Sequence, residues 1–262
     1  MAPDRPAITA MMLVRDRADL LEAAAASVLA QTDPDFELVI LDDGSVDDTF
    51  EVAARIAAGD VRTRVRVLHN EQSVGIPAAR NQVLAAARGH YIAICDSDDL
   101  SRPERFARER ALLDADPAVT GVGVRINAFD GDDPTAGSEP DWHWGLRDGR
   151  LPFAFPGAML RVDPVRAAGG FDERYRVAED LHLAYRLGGR GGRFATVDEV
   201  LLDYRIHAGS ITQRRAASRE WWTYRAQLRG LLELRGRFSA RGWAVVVQTK
   251  LRLLGALVGL RR

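Results

Sequence analysis

His90-Tyr91-Ile92-Ala93-Ile94-Cys95-Asp96-Ser97-Asp98-Asp99 is a short apolar run that breaks abruptly into carboxylates. The stretch from Tyr91 to Cys95 has the length of a buried strand. In an extended chain residues two apart point the same way, so Asp96 and Asp98 can present carboxylates on one side. A strand ending in hard oxygen donors is a platform for a divalent cation, and Mg²⁺ is usually held by one or two carboxylates plus substrate phosphates. A calcium loop of the EF-hand type would need a preceding helix and a glycine at its sixth position. Here a strand precedes, and Ser101 stands at that position. These residues alone leave metal-diphosphate binding and a solvated acidic turn evenly matched.

Upstream, apolar strands alternate with helical patterns. Ile8 to Val14 reads as a first strand, followed by a helix with Leu21, Ala24, Ala25, Val28 and Leu29 at helical spacing. Phe36 to Leu41 is a second strand that ends in Asp42-Asp43-Gly44-Ser45, and Ser45 to Asp48 resembles a capping box opening the next helix. Val65 to His69 is a third strand. After Gly75-Ile76-Pro77 a helix runs to Arg88 and stops at Gly89. Strands and helices alternating through short turns predict a mostly parallel α/β sheet.

Downstream the alternation loosens. A helix from Ser101 to about Asp114, a strand from Val119 to Phe129 and a Gly-, Asp- and Pro-rich loop from Asp130 to Gly149 are expected. Strands at 157–162 and 200–206 flank a helix from Val177 to Leu187, and the chain from about Arg214 onward looks helical. The expected organisation is a nucleotide-binding half over 1–105, an acceptor half over 106–213 and a helical extension over 214–262.

Several residues stand where ligands bind in open α/β sheets, at the carboxyl ends of strands. Asp42 and Asp43 suit a base N–H or ribose hydroxyls, although Asp and Gly are also simply good turn formers. Arg80, early in its helix, suits a phosphate or a carbonyl-rich base, or is one more surface arginine. Glu179 and Asp180 open a helix, where the dipole favours acids for stability alone and tends to keep them ionised. His207, at the end of a strand, is either a metal or phosphate ligand or a polar edge residue. Trp142 and Trp144 either stack on a sugar acceptor or anchor their loop. No P-loop, Cys/His zinc spacing or Gly-x-Ser-x-Gly elbow occurs.

Composition sets the outer limits. The chain has 262 residues, 47% hydrophobic and 28% charged, with a formal charge of −1, so neither nucleic acid nor an anionic surface is implied by the overall balance. One cysteine, Cys95, excludes a disulfide framework and makes the cytoplasm the expected compartment. The opening residues lack the pattern of a signal peptide, and no apolar stretch approaches the roughly 18 residues of a membrane span. Trp243, Val246, Val247, Leu251, Leu254 and Leu257 can share one helical face beside Lys250, Arg252, Arg261 and Arg262. That face is expected to meet the inner surface of a membrane peripherally, or to pack on the domain or on a second subunit of a homodimer.

In their order and spacing these pieces resemble the family 2 glycosyltransferases of the GT-A fold, over about residues 7 to 212. Leu41-Asp42-Asp43-Gly44-Ser45 with Asp47 and Thr49 is similar to the family's nucleotide-binding signature, and Asp96-Ser97-Asp98-Asp99 to its Asp-x-Asp motif. Gly75, Ala79-Arg80-Asn81 and Gly89-His90-Tyr91-Ile92 match the block between them. Gly170-Phe171-Asp172-Glu173, Glu179-Asp180 and Tyr204-Arg205-Ile206-His207 with Ser210-Ile211-Thr212 resemble its acceptor half. The family commonly has Pro-x-Tyr-Asn after the first strand, where this chain has Leu13-Val14-Arg15-Asp16.

The resemblance implies a Rossmann-like sheet, a nucleotide-sugar donor of the UDP type, and a glycan, lipid-linked or small-molecule hydroxyl acceptor. It implies that Asp43 meets the uracil, that Arg80 meets the base or diphosphate, and that Asp42, Asp96 and Val14 belong to the donor site. By the same resemblance Asp98 with His207 holds Mn²⁺ or Mg²⁺, Glu179 joins Trp142 and Trp144 on the acceptor side, and Asp180 is the base of an inverting transfer. Two rivals remain: a sugar-phosphate nucleotidyltransferase, which would carry a Gly-rich basic loop after its first strand, and a non-catalytic nucleotide-sugar-binding partner.

Overall fold

The computed structural model describes residues 5–62, 64–140, 145–207 and 216–258. Its donor half alternates β1 (Ile8–Val14), α1 (Ala18–Leu29), β2 (Phe36–Asp43), α2 (Thr49–Gly59), β3 (Val65–Asn70), α3 (Ile76–Ala86) and β4 (Tyr91–Asp96). Every residue of β2 is buried, as expected for an inner strand covered on both faces. Alternate strand residues feed two separate layers. Ala10, Met12, Leu38 and Ile40 pack with α1 and α2 through Leu21, Val28, Val52 and Ala53. Met11, Val39, Leu41, Ile92 and Ile94 pack on the other face with Ala79, Val83 and Leu84 of α3.

After β4 come β5 (Leu100–Ser101), α4 (Arg105–Ala115), β6 (Val119–Asp130), β7 (Ala158–Arg161), α5 (Val162–Ala167), α6 (Glu179–Gly189) and β8 (Arg193–Ile206). One eight-stranded sheet in the order β3-β2-β1-β4-β7-β6-β8-β5 contains both halves. The first four strands are parallel, as expected. β7 then runs antiparallel to both β4 and β6, and β6 pairs β8 in parallel, so the acceptor half is mixed. The β4–β7 ladder covers only Tyr91, Ile92 and Ala93. The backbone beyond it is held by a side chain: Arg105, wholly buried, donates to the carbonyls of Ile94 (2.7 Å) and Ala158 (3.5 Å) and pairs with Glu109 at 3.1 Å.

The differences from the expected elements have local causes. β8 starts at Arg193 instead of Val200 because pairing with β6, through bulged register, recruits a polar, largely exposed stretch whose own pattern is weak. α6 starts at Glu179 instead of Val177 because Ala178 takes a left-handed conformation (φ 62°) that a helix cannot include. α5 has six residues between a strand and the Gly169-Gly170 turn, too few for a periodic pattern.

Two further helices, α7 (Ala216–Glu233) and α8 (Ala240–Val258), dock on the acceptor half. A third core joins Leu146, Tyr175, Leu181 and Tyr185 to Ala226, Phe238 and Val246. A tight fit occurs at Gly230, where a Cβ would lie 2.6 Å from the ring of the fully buried Tyr185. Alanine at a helical glycine ordinarily gains about 1 kcal/mol. Here the clash, of the order of 1–3 kcal/mol for overpacking, should outweigh it. Gly230→Ala is therefore expected to lower the melting temperature, and an increase would show that Tyr185 yields freely.

Candidate active site

The carboxyl ends of β1, β2 and β4 form one row, with Val14 opposite Asp42 and Leu13 opposite Asp96 in the sheet register. Three loops rise from this row, and their side chains bind one another before any ligand is considered. Asp16, left-handed at φ 53°, accepts from the Val46 amide (2.9 Å), while its own amide donates to Ser45 Oγ (2.9 Å). Aspartate tolerates that conformation better than most residues. Asp42, fully buried, accepts from the Ser45 amide and hydroxyl and lies 2.9 Å from His69 Nδ1. Gly44 is left-handed at φ 71°, and a Cβ there would stand 2.5 Å from the Ser73 amide nitrogen. Only glycine fits both demands.

Asp43 is the clamp of this region. One oxygen accepts from Asn70 Nδ2 (2.9 Å) and the Val74 amide (2.9 Å); the other accepts from Ser73 Oγ (2.6 Å) and the Gly75 amide (3.1 Å). Burial pushes its pKa up, and these hydrogen bonds outweigh that and bring it below the ordinary value. All four acceptor positions of the carboxylate are occupied by the protein. A direct hydrogen bond to a base therefore requires one of these donors to give way.

The acidic turn after β4 gathers Asp96, Asp98 and Asp99, with one oxygen of each within 4.8 Å of the others. Asp99 has no role in the sequence reading, yet it is the most enclosed of the three. Its Oδ1 accepts from the Arg205 amide (2.9 Å), and among the described residues its buried Oδ2 has no hydrogen-bond partner. Burial, then repulsion from Asp96 and Asp98, pushes its pKa well up. The signal for it lies in the motif itself, because the turn that returns the Asp99 amide to the Asp96 carbonyl (3.4 Å) brings i and i+3 together. His207 joins from the end of β8, its Nε2 2.9 Å from Asp98 Oδ2. Arg205 braces the turn from the same strand, donating to the Asp98 carbonyl (3.2 Å), to Asp132 (2.9 Å) and to the Gly131 carbonyl.

Arg80 is not a surface arginine. It is 8% exposed, stacked between Phe155 and Phe171 with its guanidinium carbon 5.1 and 5.3 Å from their ring centres. Its Nη1 donates to Glu179 Oε1 at 2.7 Å, and its Nη2 lies 4.0 Å from Asp96 Oδ1. Glu179 is thus turned inward, 6% exposed, as a strut under Arg80. Burial raises the Glu179 pKa to about 7, against the pull of Arg80. Burial likewise raises Asp96 to about 6, opposed by Arg80 and assisted by the charges of Asp98 and Asp180.

Asp180, half-buried, accepts from the Leu181 amide at 2.6 Å. The expected effect of the helix N-terminus, to hold it ionised, is overridden: burial raises its pKa despite Arg80 and the backbone donors. The metal-turn side chains, Arg80 and Asp180 therefore lie within electrostatic reach of one another. Trp142 and Trp144 lie outside the described residues, as do Ser210-Ile211-Thr212.

Hard carboxylate oxygens, a buried Asp99 oxygen without a partner among the described residues, and Asp96 and Asp99 pKa values pushed upward by burial and then by repulsion are what a divalent cation would satisfy. The residues present fit such an ion, with Asp98 and His207 at the open side of the turn.

The loops at the carboxyl ends of the parallel strands thus build an acidic, arginine-braced site, and comparisons with known proteins identify the family. The family model described as Glycosyl transferase family 2 matches residues 9–167, and the chain belongs to that family. The succinoglycan biosynthesis protein ExoO of Rhizobium meliloti is 29% identical over 287 residues, covering 96% of this chain and 80% of that protein. The Escherichia coli enzyme WfaP, a UDP-Glc:alpha-D-GlcNAc-diphosphoundecaprenol beta-1,3-glucosyltransferase, is 26% identical over 208 residues, covering 74% and 75%. Among solved structures, the mannosyltransferase PcManGT of Pyrobaculum calidifontis with GDP-Man and Mn²⁺ superposes with a TM-score of 0.70 at 20% identity, covering 98% of this chain and 76% of that one. TarS of S. aureus with UDP-GlcNAc gives a TM-score of 0.72 at 17% identity, covering 95% and 71%. These two share the GT-A fold with this chain.

Removing one partner of a buried ion pair leaves the other uncompensated and costs about 3–5 kcal/mol, whereas replacing both by apolar groups is often near neutral. Arg80→Met is expected to destabilise the fold by about 3 kcal/mol, and Arg80→Met with Glu179→Leu to recover most of it. Denaturant melts of the two variants check this, and additive losses would show that the pair is not coupled.

Proposed function

We propose that this glycosyltransferase uses an inverting mechanism, taking a UDP-sugar as donor and a hydroxyl of a glycan, a lipid-linked sugar or a small molecule as acceptor. The observation that carries the reading is Asp180, placed on the opening turn of α6 where its charge is felt by Asp96 across the site. Its raised pKa brings it nearer the working pH of a general base than an ordinary aspartate. Asp180 takes the acceptor hydroxyl proton while that oxygen attacks C1 of the donor sugar. The bond from C1 to the diphosphate oxygen breaks on the opposite face, so the anomeric centre inverts without a covalent enzyme intermediate.

Arg80, fixed by its two aromatic rings and Glu179, presents a positive charge to the departing diphosphate from within the site. Asp43 and Asp42 shape the base end by holding the loops after β2 and β3, with Val14 closing the row. Mn²⁺ or Mg²⁺, held by Asp98 with His207, Asp96 and Asp99, would offset the charge that builds on the diphosphate oxygens. The uridine preference follows the family resemblance and the UDP-Glc in the name of WfaP; the GDP-Man of PcManGT is the competing choice.

Asp180→Asn keeps the shape and removes the base. With the donor that a thermal-shift panel of nucleotide sugars selects, kcat should fall by about 10² to 10⁴ while donor affinity changes little. Near-normal turnover in a folded variant would reduce Asp180 to a helix cap, since asparagine also caps well. Release of pyrophosphate from a nucleoside triphosphate and a sugar phosphate would instead reveal a nucleotidyltransferase, and binding without turnover would reveal a non-catalytic partner.

Cation binding should depend on pH in a stated direction. Protons held by Asp96, with its pKa near 6, and by Asp99 must leave before the cation binds. Mn²⁺ affinity is therefore expected to rise with pH through about 6 and then level off, as read by calorimetry on either side of that value. UDP should bind more tightly with Mn²⁺ than with EDTA, and Asp98→Asn should erase the difference. Equal affinity in all three measurements would remove the metal, and tighter binding of GDP would remove the uridine preference.

A further inference from the structure

Helix α8 has two apolar faces, and the fold covers only one. Val246 and Leu253 turn inward, at 5% and 7% exposure, with Thr249 between them. Val246, expected on the outer face, is thus part of the docked side, and the side chain of Leu257 lies outside the described residues. Trp243, Val247, Leu251 and Leu254 are 49%, 54%, 62% and 46% exposed. At roughly 100° per residue they fall within an arc of about 80°. Lys250 borders one edge of this stripe at about 20°, and beyond the other edge Gln248, Arg241 and Arg252 follow at about 60–100°, all of them exposed. Scattered exposed leucines need no explanation, but a continuous stripe with charged margins marks an interaction surface.

The charge of the segment selects the partner. Residues 234–262 hold seven of the 36 basic side chains and no acidic one, while the preceding part carries 29 basic against 37 acidic residues. We propose that α8 lies in the interfacial plane of an anionic bilayer, with Trp243, Val247, Leu251 and Leu254 in the acyl boundary and the flanking basic groups among the head groups. No helix among the described residues is long and apolar enough to cross a membrane, so the contact lies along the surface. A second copy is a poorer occupant, because a two-fold pairing of this stripe would crowd the basic group at its margin, Lys250, with no acid on α8 to receive it. α7, packed on α8, leaves Trp221, Leu228 and Leu232 exposed as well, with Arg229 exposed among them. The inference stands on this surface and is independent of the donor, the metal and the base proposed above.

The test uses the full chain and sedimentation with vesicles of phosphatidylcholine, with and without phosphatidylglycerol. The wild type is expected to sediment with the anionic vesicles and to be released by salt. Val247→Ser with Leu251→Ser and Leu254→Ser should weaken binding at least about tenfold. Arg241→Gln with Lys250→Gln and Arg252→Gln should weaken it about fivefold per charge and remove the preference for phosphatidylglycerol. All six positions are exposed and away from the active site, so melting temperature and nucleotide binding should be unchanged and serve as the folding control. Failure of the wild type to sediment with anionic vesicles would overturn the proposal, as would equal binding by wild type and the stripe variant. If analytical ultracentrifugation shows a dimer that the stripe variant dissolves, the face belongs to a second copy and the proposal also fails.

Discussion

Arg80 carries the positive charge that joins the two halves of the active site. Its guanidinium is pinned between Phe155 and Phe171, bonded to Glu179 and close to Asp96, so it meets residues from four separate segments. Acidic groups from β4 and α6 converge there, and burial raises the pKa of each. Without a buried cation this concentration of carboxylates would favour neutral acids at ordinary pH. Arginine suits the place better than lysine because a planar, stacked guanidinium is weakly hydrated and keeps its proton.

The donor half was readable because each decision there is local. Apolar runs of strand length, a glycine that a tight turn requires at Gly44 and a proline at the start of α3 all announce themselves within a few residues. The acidic turn was legible for the same reason. Contacts between distant residues were not. Glu179 reads as an acid at a helix start, and only packing shows that it is turned onto a residue 99 positions earlier. Asp43 reads as a free ligand, and its four bonds come from a loop some 30 residues on. Asp99 looked like the redundant member of its motif, and the pairing of β5 with β8 next to Arg205 encloses it. The antiparallel entry of β7 left no trace in its own four residues, since strand direction is set by what precedes and follows the strand.

The arginine-rich composition also takes on a different meaning in three dimensions. Arg105 and Glu109, both without exposed side-chain area, form a pair inside the acceptor half. Burial raises Glu109 to about 7, opposed by Arg105, and one of its oxygens finds no partner among the described residues. Such a pair is not an obvious source of stability. Its bonds to backbone carbonyls suggest a geometric task, which the short β4–β7 ladder makes specific.

On its β1 side β4 is paired as far as Asp96, but on its β7 side the ladder ends at Ala93. Arg105 takes the carbonyls of Ile94 and Ala158 where the next rungs would have formed. The parting of β4 from β7 can therefore be regarded as a seam left unsewn in an otherwise continuous sheet. A side chain holds the two margins together at the back while the front stays open.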